Sequence, residues 1–398
     1  MNSNLAAMEA SAVPELALRD VAVSLTGGSA SDARLHLSYI DGFRAIAALY
    51  VVWSHLAARA WGSHRPTSLA LRLLAKLSNH GHFAVTAFIV ISGFCLMLPV
   101  SRSGMQLRGG SLLFFKRRFW RIAPPMYAAF LLSAAILQLG RIHLVYGYGQ
   151  VTLTQILAHA FLVQVPVPGG LLGNNGALWS ISVECFMYLF FPAIVIFSRR
   201  IGTAITAFFC VAAGYILLFS LRGTIPGVIA WQYLGAFALG VLAAITSYSE
   251  TKISTLFRDR VPWYGIAAVS FGGVAALAII KGWDWAVGYT DFLDFPVAVA
   301  AASILIGASR QGRNPVRDLL QVRALAFIGL FSYSLYLIHY PLEDLFYAYV
   351  IIPLRTGEVG CELLNIAVVV PVILVASYLF YIGFERPFHR LARRIGKQ

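Results

Sequence analysis

Apolar runs long enough to cross a lipid bilayer recur along nearly the whole chain, and they constrain its fold more than any motif does. A hydrocarbon core of about 30 Å takes about 20 apolar residues in a helix. Ten such segments are read at 39–60, 82–100, 123–140, 177–198, 202–221, 227–247, 262–280, 294–309, 324–341 and 364–384. Gly- and Pro-containing turns separate many of them, as at Arg222-Gly223-Thr224-Ile225-Pro226-Gly227. Composition agrees. Charged residues are 12% of the chain and mean hydropathy is +0.74, whereas soluble domains carry about 25% charged residues. The expected fold class is all-α: a polytopic membrane protein of about ten transmembrane helices.

The formal net charge of +14 would suggest a polyanion partner in a soluble protein. No basic run interleaves with aromatics in a soluble module, so nucleic acid is not an expected partner. Membrane orientation explains the charge instead. With both termini cytoplasmic, 23 of the 31 Lys and Arg residues fall on the inner side. An odd number of helices would put the basic segment 390–397 on the wrong side. The expected location is the bacterial inner membrane, in a multi-pass arrangement.

Residues 1–37 are Ala/Ser-rich, lack the apolar stretch of a secretory signal, and are read as a flexible cytoplasmic tail. Residues 38–391 form one expected membrane domain, and 392–398 a basic cytoplasmic tail. In the long outer connection 141–176, the stretch 153–165 is expected to lie on the membrane or dip into it. Cys95, Cys185, Cys210 and Cys361 are scattered and are read as small buried apolar groups. No His/Cys/Asp/Glu cluster has metal-ligand spacing, so no metal is expected.

Ionisable groups inside such spans are costly and mark candidate sites. Arg44 and His55 lie eleven residues apart, close to three helical turns, and share one face of the first segment. Asp41 sits three residues before Arg44, where the pair could also be a simple interfacial anchor. In the fourth segment Trp179-Ser180-Ile181-Ser182-Val183-Glu184 places Glu184 about 10 Å from the outer end. That depth resembles the depth of His55 and permits a carboxylate–imidazole contact that would raise the basicity of His55. His339 could reach the same layer. Arg118 and Arg121, in Lys116-Arg117-Arg118-Phe119-Trp120-Arg121, share a helix face and suit bidentate phosphate binding. Such a run is also an ordinary orientation signal. Tyr146, Tyr148 and Phe161 fit either stacking on a sugar or anchoring at the interface.

These residues occur in an order that resembles the integral-membrane acyltransferase-3 family. The series is Asp41-Gly42-Phe43-Arg44 followed by His55; Phe88 to Phe94; Arg118-x-x-Arg121 with Pro124, Pro125 and Tyr127; Leu178 to Glu184 with Tyr188 and Pro192; Ser332 to Pro341, which includes Tyr333 and His339; and Phe384-Glu385-Arg386-Pro387. The likeness runs from about residue 38 to 391. Ala84 and Thr86 depart from the second-helix pattern, where Gly and an acidic residue are usual.

The resemblance implies an acyl-CoA donor, expected to be acetyl-CoA, on the cytoplasmic side. The implied acceptor is a hydroxyl of a surface or exopolysaccharide sugar or a related metabolite. His55 would act as general base or transient acyl carrier, supported by Glu184. Arg118 and Arg121 would hold the donor phosphates, and Arg44 would stabilise developing negative charge. Asp41, Trp179, Ser182, Tyr333 and His339 would bind substrate or hold the motifs in shape. The competing expectations are a transporter of a lipid-linked saccharide or small molecule and a receptor-like scaffold.

Overall fold

A computed structural model describes residues 37–395 except 62–67, 79, 141, 226–228 and 356. The expected tail 1–37 therefore lies almost wholly outside the described residues. Every regular element among them is helical. Helices satisfy their own backbone groups, so this is the form that apolar runs take in lipid.

The long elements are α1 (Ser38–Trp61), α2 (Leu69–Ser78), α3 (His82–Ser101), α4 (Gly110–Leu139), the short α5 (Ile142–Tyr146) and α6 (Leu153–Ala160). A 3₁₀ turn, Gly173–Leu178, leads into α7 (Trp179–Ile201), followed by α8 (Thr203–Ser220) and α9 (Gln232–Tyr248). Next come α10 (Lys252–Arg260), α11 (Trp263–Lys281), α12 (Trp283–Gly288), α13 (Thr290–Ser309) and α14 (Pro315–Leu320). The chain ends in α15 (Arg323–Leu330), α16 (Ser332–Leu354) and α17 (Glu358–Arg394).

Each of the ten expected segments falls on a helix. Among the described residues seven helices are long and apolar enough to span a membrane, or eight if the α15–α16 pair counts as one. Helix α9 is 17 residues long, and α1 carries Asp41, Arg44, His55 and Arg59. Two segments differ in shape from the expectation. The segment 324–341 is not one rod: α15 and α16 meet at 74° across Phe331. The last segment is longer than expected and contains π turns at Asn365–Val369 and Tyr381–Glu385.

The outward faces suit lipid, with Val269 77% and Ile280 75% exposed. Apolar side chains gain little by leaving lipid, so helix contact depends on close packing and small residues. Helices α3 and α9 cross where Gly93 meets the Phe237 carbonyl and Gly240 meets the Val90 carbonyl. Gly42 of α1 lies against the Leu320 carbonyl, and Gly329 of α15 against the Asp41 carbonyl. A methyl group at any of these four positions would collide with backbone. The Asp41-Gly42 pair thus docks α1 onto the α14–α15 corner and fixes the height of Arg44 and His55.

Candidate active site

Two polar clusters occupy the helix core, and one hydrogen bond marks the level between them. Ser180 of α7 donates to the Tyr336 hydroxyl of α16 at 2.7 Å, and Tyr336 donates to the Ala177 carbonyl at 2.9 Å. The two helices run in opposite directions from this bond. Glu184 follows Ser180 by four residues toward one end of the bundle, and His339 follows Tyr336 by three toward the other. At about 1.5 Å per residue, Glu184 and His339 are separated by about 10 Å along the axis.

The first cluster is basic. Glu184 accepts from Ser92 Oγ at 2.8 Å and from the Tyr188 hydroxyl, and Ser92 and Tyr188 are 3.0 Å apart. Arg44 faces the carboxylates of Asp41, Glu184 and Glu385. Arg118 lies beside Arg121, Tyr188 and Glu184, and its Nε is buried without a hydrogen-bond partner. From α17, Glu385 accepts the Ser334 N–H at 3.1 Å and the Ser334 hydroxyl at 2.6 Å. The π turn at Tyr381–Glu385 precedes this contact directly. His389, also on α17, is surrounded by Arg121, Arg393, Arg44 and Arg118. Four guanidiniums and an imidazole are thus near enough to act on one another electrostatically, only partly balanced by three carboxylates. Like charges held together inside a protein favour an anionic ligand between them. A cavity of about 320 Å³, mostly apolar, opens beside Arg118 and Tyr188 between α4, α7 and the Phe161–Val163 segment.

The second cluster surrounds His55. Its ring lies 5.3 Å from the ring of His339 and 4.9 Å, edge-on, from that of Tyr340. The His339 Nδ1 sits 2.8 Å from the Tyr336 carbonyl and 3.2 Å from the Leu335 carbonyl. A carbonyl only accepts, so Nδ1 carries the proton and Nε2 keeps its lone pair. That Nε2 is buried and has no partner. One turn beyond His55, Arg59 binds Glu343 and Asp344, whose side chains are both 0% exposed. This group was not foreseeable from the residues, because Arg59 stands near a helix end, where a cation normally reaches water. Only its pairing across 284 positions shows that it points inward.

The expected residues therefore divide. Arg44, Asp41, Arg118, Arg121 and Glu184 gather at the basic end, while His55 and His339 gather at the other. Among the described residues no hydrogen bond or ion pair joins His55 to Glu184. The depth match was permissive, but helix α7 starts only after the 3₁₀ turn, and the Ser180–Tyr336 register carries Glu184 away. Tyr333 donates to the Ile122 carbonyl at 3.0 Å and ties α16 to α4. Ser182 is fully buried with no hydrogen-bond partner, and Trp179 packs against Tyr233 at 6.0 Å. Tyr146 and Tyr148 stack on each other at 5.5 Å, and the Tyr146 hydroxyl reaches the Asp344 carbonyl at 3.5 Å. Phe161 is 74% exposed.

Two further features were not legible beforehand. Asn174 and Asn175 clamp the turn before α7 onto Ser133 and the Leu337 carbonyl. Asp294 of α13 accepts from Thr86 Oγ1 at 2.5 Å and from Gln232 Nε2 at 3.2 Å, with His82 Nε2 3.8 Å away. The position noted as departing from the second-helix pattern thus meets a carboxylate supplied by another helix. Nothing among the described residues groups three or more His, Cys, Asp or Glu so as to hold a metal.

Comparison with known proteins bears on the family of the chain. The family model described as an acyltransferase domain, that of the acyltransferase-3 proteins, matches residues 37–382. The chain is 25% identical to acyltransferase MdmB of Streptomyces mycarofaciens over 397 residues, covering 90% of this chain and 93% of that protein. No solved structure matches it. Matched by this model over most of its length, the chain belongs to the acyltransferase-3 family and is an acyltransferase for groups other than aminoacyl groups.

Proposed function

We propose that this membrane acyltransferase moves an acyl group, acetyl in the simplest case, from acyl-CoA to a hydroxyl of a surface or exopolysaccharide sugar or a related metabolite. The observation that carries the reading is the separation of two complementary chemistries along one bundle. Clustered guanidiniums at one end suit a polyphosphorylated donor. A buried histidine pair at the other end, His55 against His339, suits removal of a proton from a hydroxyl. Arg118 and Arg121 hold the donor phosphates, with Arg44 between them and the base. The clustering of Lys and Arg supports placing this end in the cytoplasm of a bacterial inner membrane.

In the transfer step a His55 ring nitrogen takes the acceptor's O–H proton as the oxygen bonds to the thioester carbonyl carbon. The C–S bond breaks, and the thiolate recovers the proton from His55. The orienting part first expected of Glu184 passes to the rings packed on His55, those of His339 and Tyr340. Glu184 instead shapes the basic cluster through Ser92 and Tyr188.

The test compares surface glycans by mass spectrometry in a strain lacking the protein, complemented with wild type or with His55→Ala. An ester mass increment that returns only with wild type supports the reading and weighs the acyl group. Unchanged glycan masses would move the acceptor to a small metabolite. Restoration by His55→Ala would remove His55 from catalysis.

A further inference from the structure

Arg59 is the most heavily bonded side chain near His55. Its Nη1 donates to the His55 carbonyl at 3.1 Å and to Glu343 Oε2 at 2.5 Å, and its Nε donates to Asp344 Oδ1 at 2.9 Å. The guanidinium also lies 4.2 Å from the centre of the Tyr340 ring, and that same ring packs edge-on against His55. Two helix registers face each other here. His55 and Arg59 are four residues apart on α1, and His339 and Glu343 are four apart on α16, so imidazole meets imidazole one turn away from guanidinium meeting carboxylate.

The ionic group is sealed from solvent, with one guanidinium facing two carboxylates that are each 0% exposed. It acts on His55 through the His55 carbonyl and through the Tyr340 ring, which touches both the guanidinium and the imidazole.

We propose that Arg59, Glu343 and Asp344 are positioning residues for His55: by locking the α1–α16 register and the Tyr340 ring, they seat the His55 ring against His339. This rests on the acyl-transfer reading above and assigns to it three residues that no motif indicated. Removing one member of a buried ionic group leaves a stranded charge and harms folding, whereas removing all of them together is often tolerated. A combined variant therefore separates scaffold from catalysis.

The experiment uses the full chain in lipid nanodiscs with acetyl-CoA and a panel of methyl glycosides, reading thiol release per folded protein. The variants are Arg59→Met/Glu343→Gln/Asp344→Asn together, and Arg59→Lys alone, which keeps the charge but loses the planar fork. The combined variant should fold at close to wild-type yield with the acetyl-CoA KM within about threefold, while kcat falls about 100-fold, a loss typical of removing partners that orient a working imidazole. Arg59→Lys should lower kcat about tenfold on the same grounds, and it covers the case in which the combined variant does not fold. Recovery of wild-type kcat by either variant overturns the proposal.

Ring-nitrogen NMR of His55 gives a readout that needs no turnover. One tautomer should dominate in wild type and give way to exchange in the variants, and an unchanged pattern overturns the proposal. If wild type releases no thiol with any glycoside, the sugar-acylation reading fails, and the ring-nitrogen comparison still decides the positioning role.

Discussion

Ser180 and Tyr336 are joined by a 2.7 Å hydrogen bond that places Glu184 and His339 on opposite sides of one level in the bundle. The contact is buried, and the Tyr336 hydroxyl in turn donates a hydrogen bond to the Ala177 carbonyl. It therefore sets the register of α7 against α16, and that register decides which polar residues join the basic cluster and which join the histidine pair.

Breaking that register should be measurable. Tyr336→Phe leaves the Ser180 hydroxyl and the Ala177 carbonyl without a partner and should cost about 1–3 kcal/mol. Ser180→Ala should cost less, because Tyr336 keeps its bond to Ala177. A double-mutant cycle on thermal unfolding in detergent should return a coupling of about 0.5–1.5 kcal/mol. Strict additivity would mean that the bond contributes nothing to the register.

His55→Ala should leave the protein's abundance near wild type and lower acyl transfer by about 10²–10⁴-fold, the range for removing a general base. Mass spectrometry of the glycans together with quantitative blotting separates loss of activity from loss of protein. A variant retaining more than a tenth of wild-type transfer would contradict the assignment.

At the basic end the expected effect falls on donor affinity. Lysine keeps the charge of arginine without its planar fork, so Arg118→Lys and Arg121→Lys should each raise the acyl-CoA KM about tenfold with a smaller change in kcat. A KM insensitive to both substitutions would place the phosphates elsewhere.

Gly42→Ala tests the docking of α1. Its new methyl would collide with the Leu320 carbonyl, and backbone has no alternative rotamer to relieve the clash. Overpacking of this kind costs about 1–3 kcal/mol. Lower thermal stability should come with loss of activity, since both Arg44 and His55 ride on α1. Gly104→Ala is a comparison from an open loop, where a Cβ meets nothing within 4 Å, although its φ of +66° adds local strain.

The apolar runs by themselves determined an all-helical membrane protein, because a segment without charge in lipid has no other way to satisfy its backbone. Residue order alone carried the family, and helical spacing correctly grouped Arg118 with Arg121 on α4. Pairings between helices were beyond its reach. Depth along a span made His55 and Glu184 equivalent, and nothing in the chain gives the relative register of antiparallel helices. That register is decided by packed contacts such as Gly42 on Leu320 and Ser180 on Tyr336, which lie 278 and 156 positions apart. The same limit hid Arg59: a cation near a helix end reads as an interfacial anchor until the fold brings Glu343 and Asp344 to meet it, because burial and partnership are properties of the assembled helices and not of any one of them.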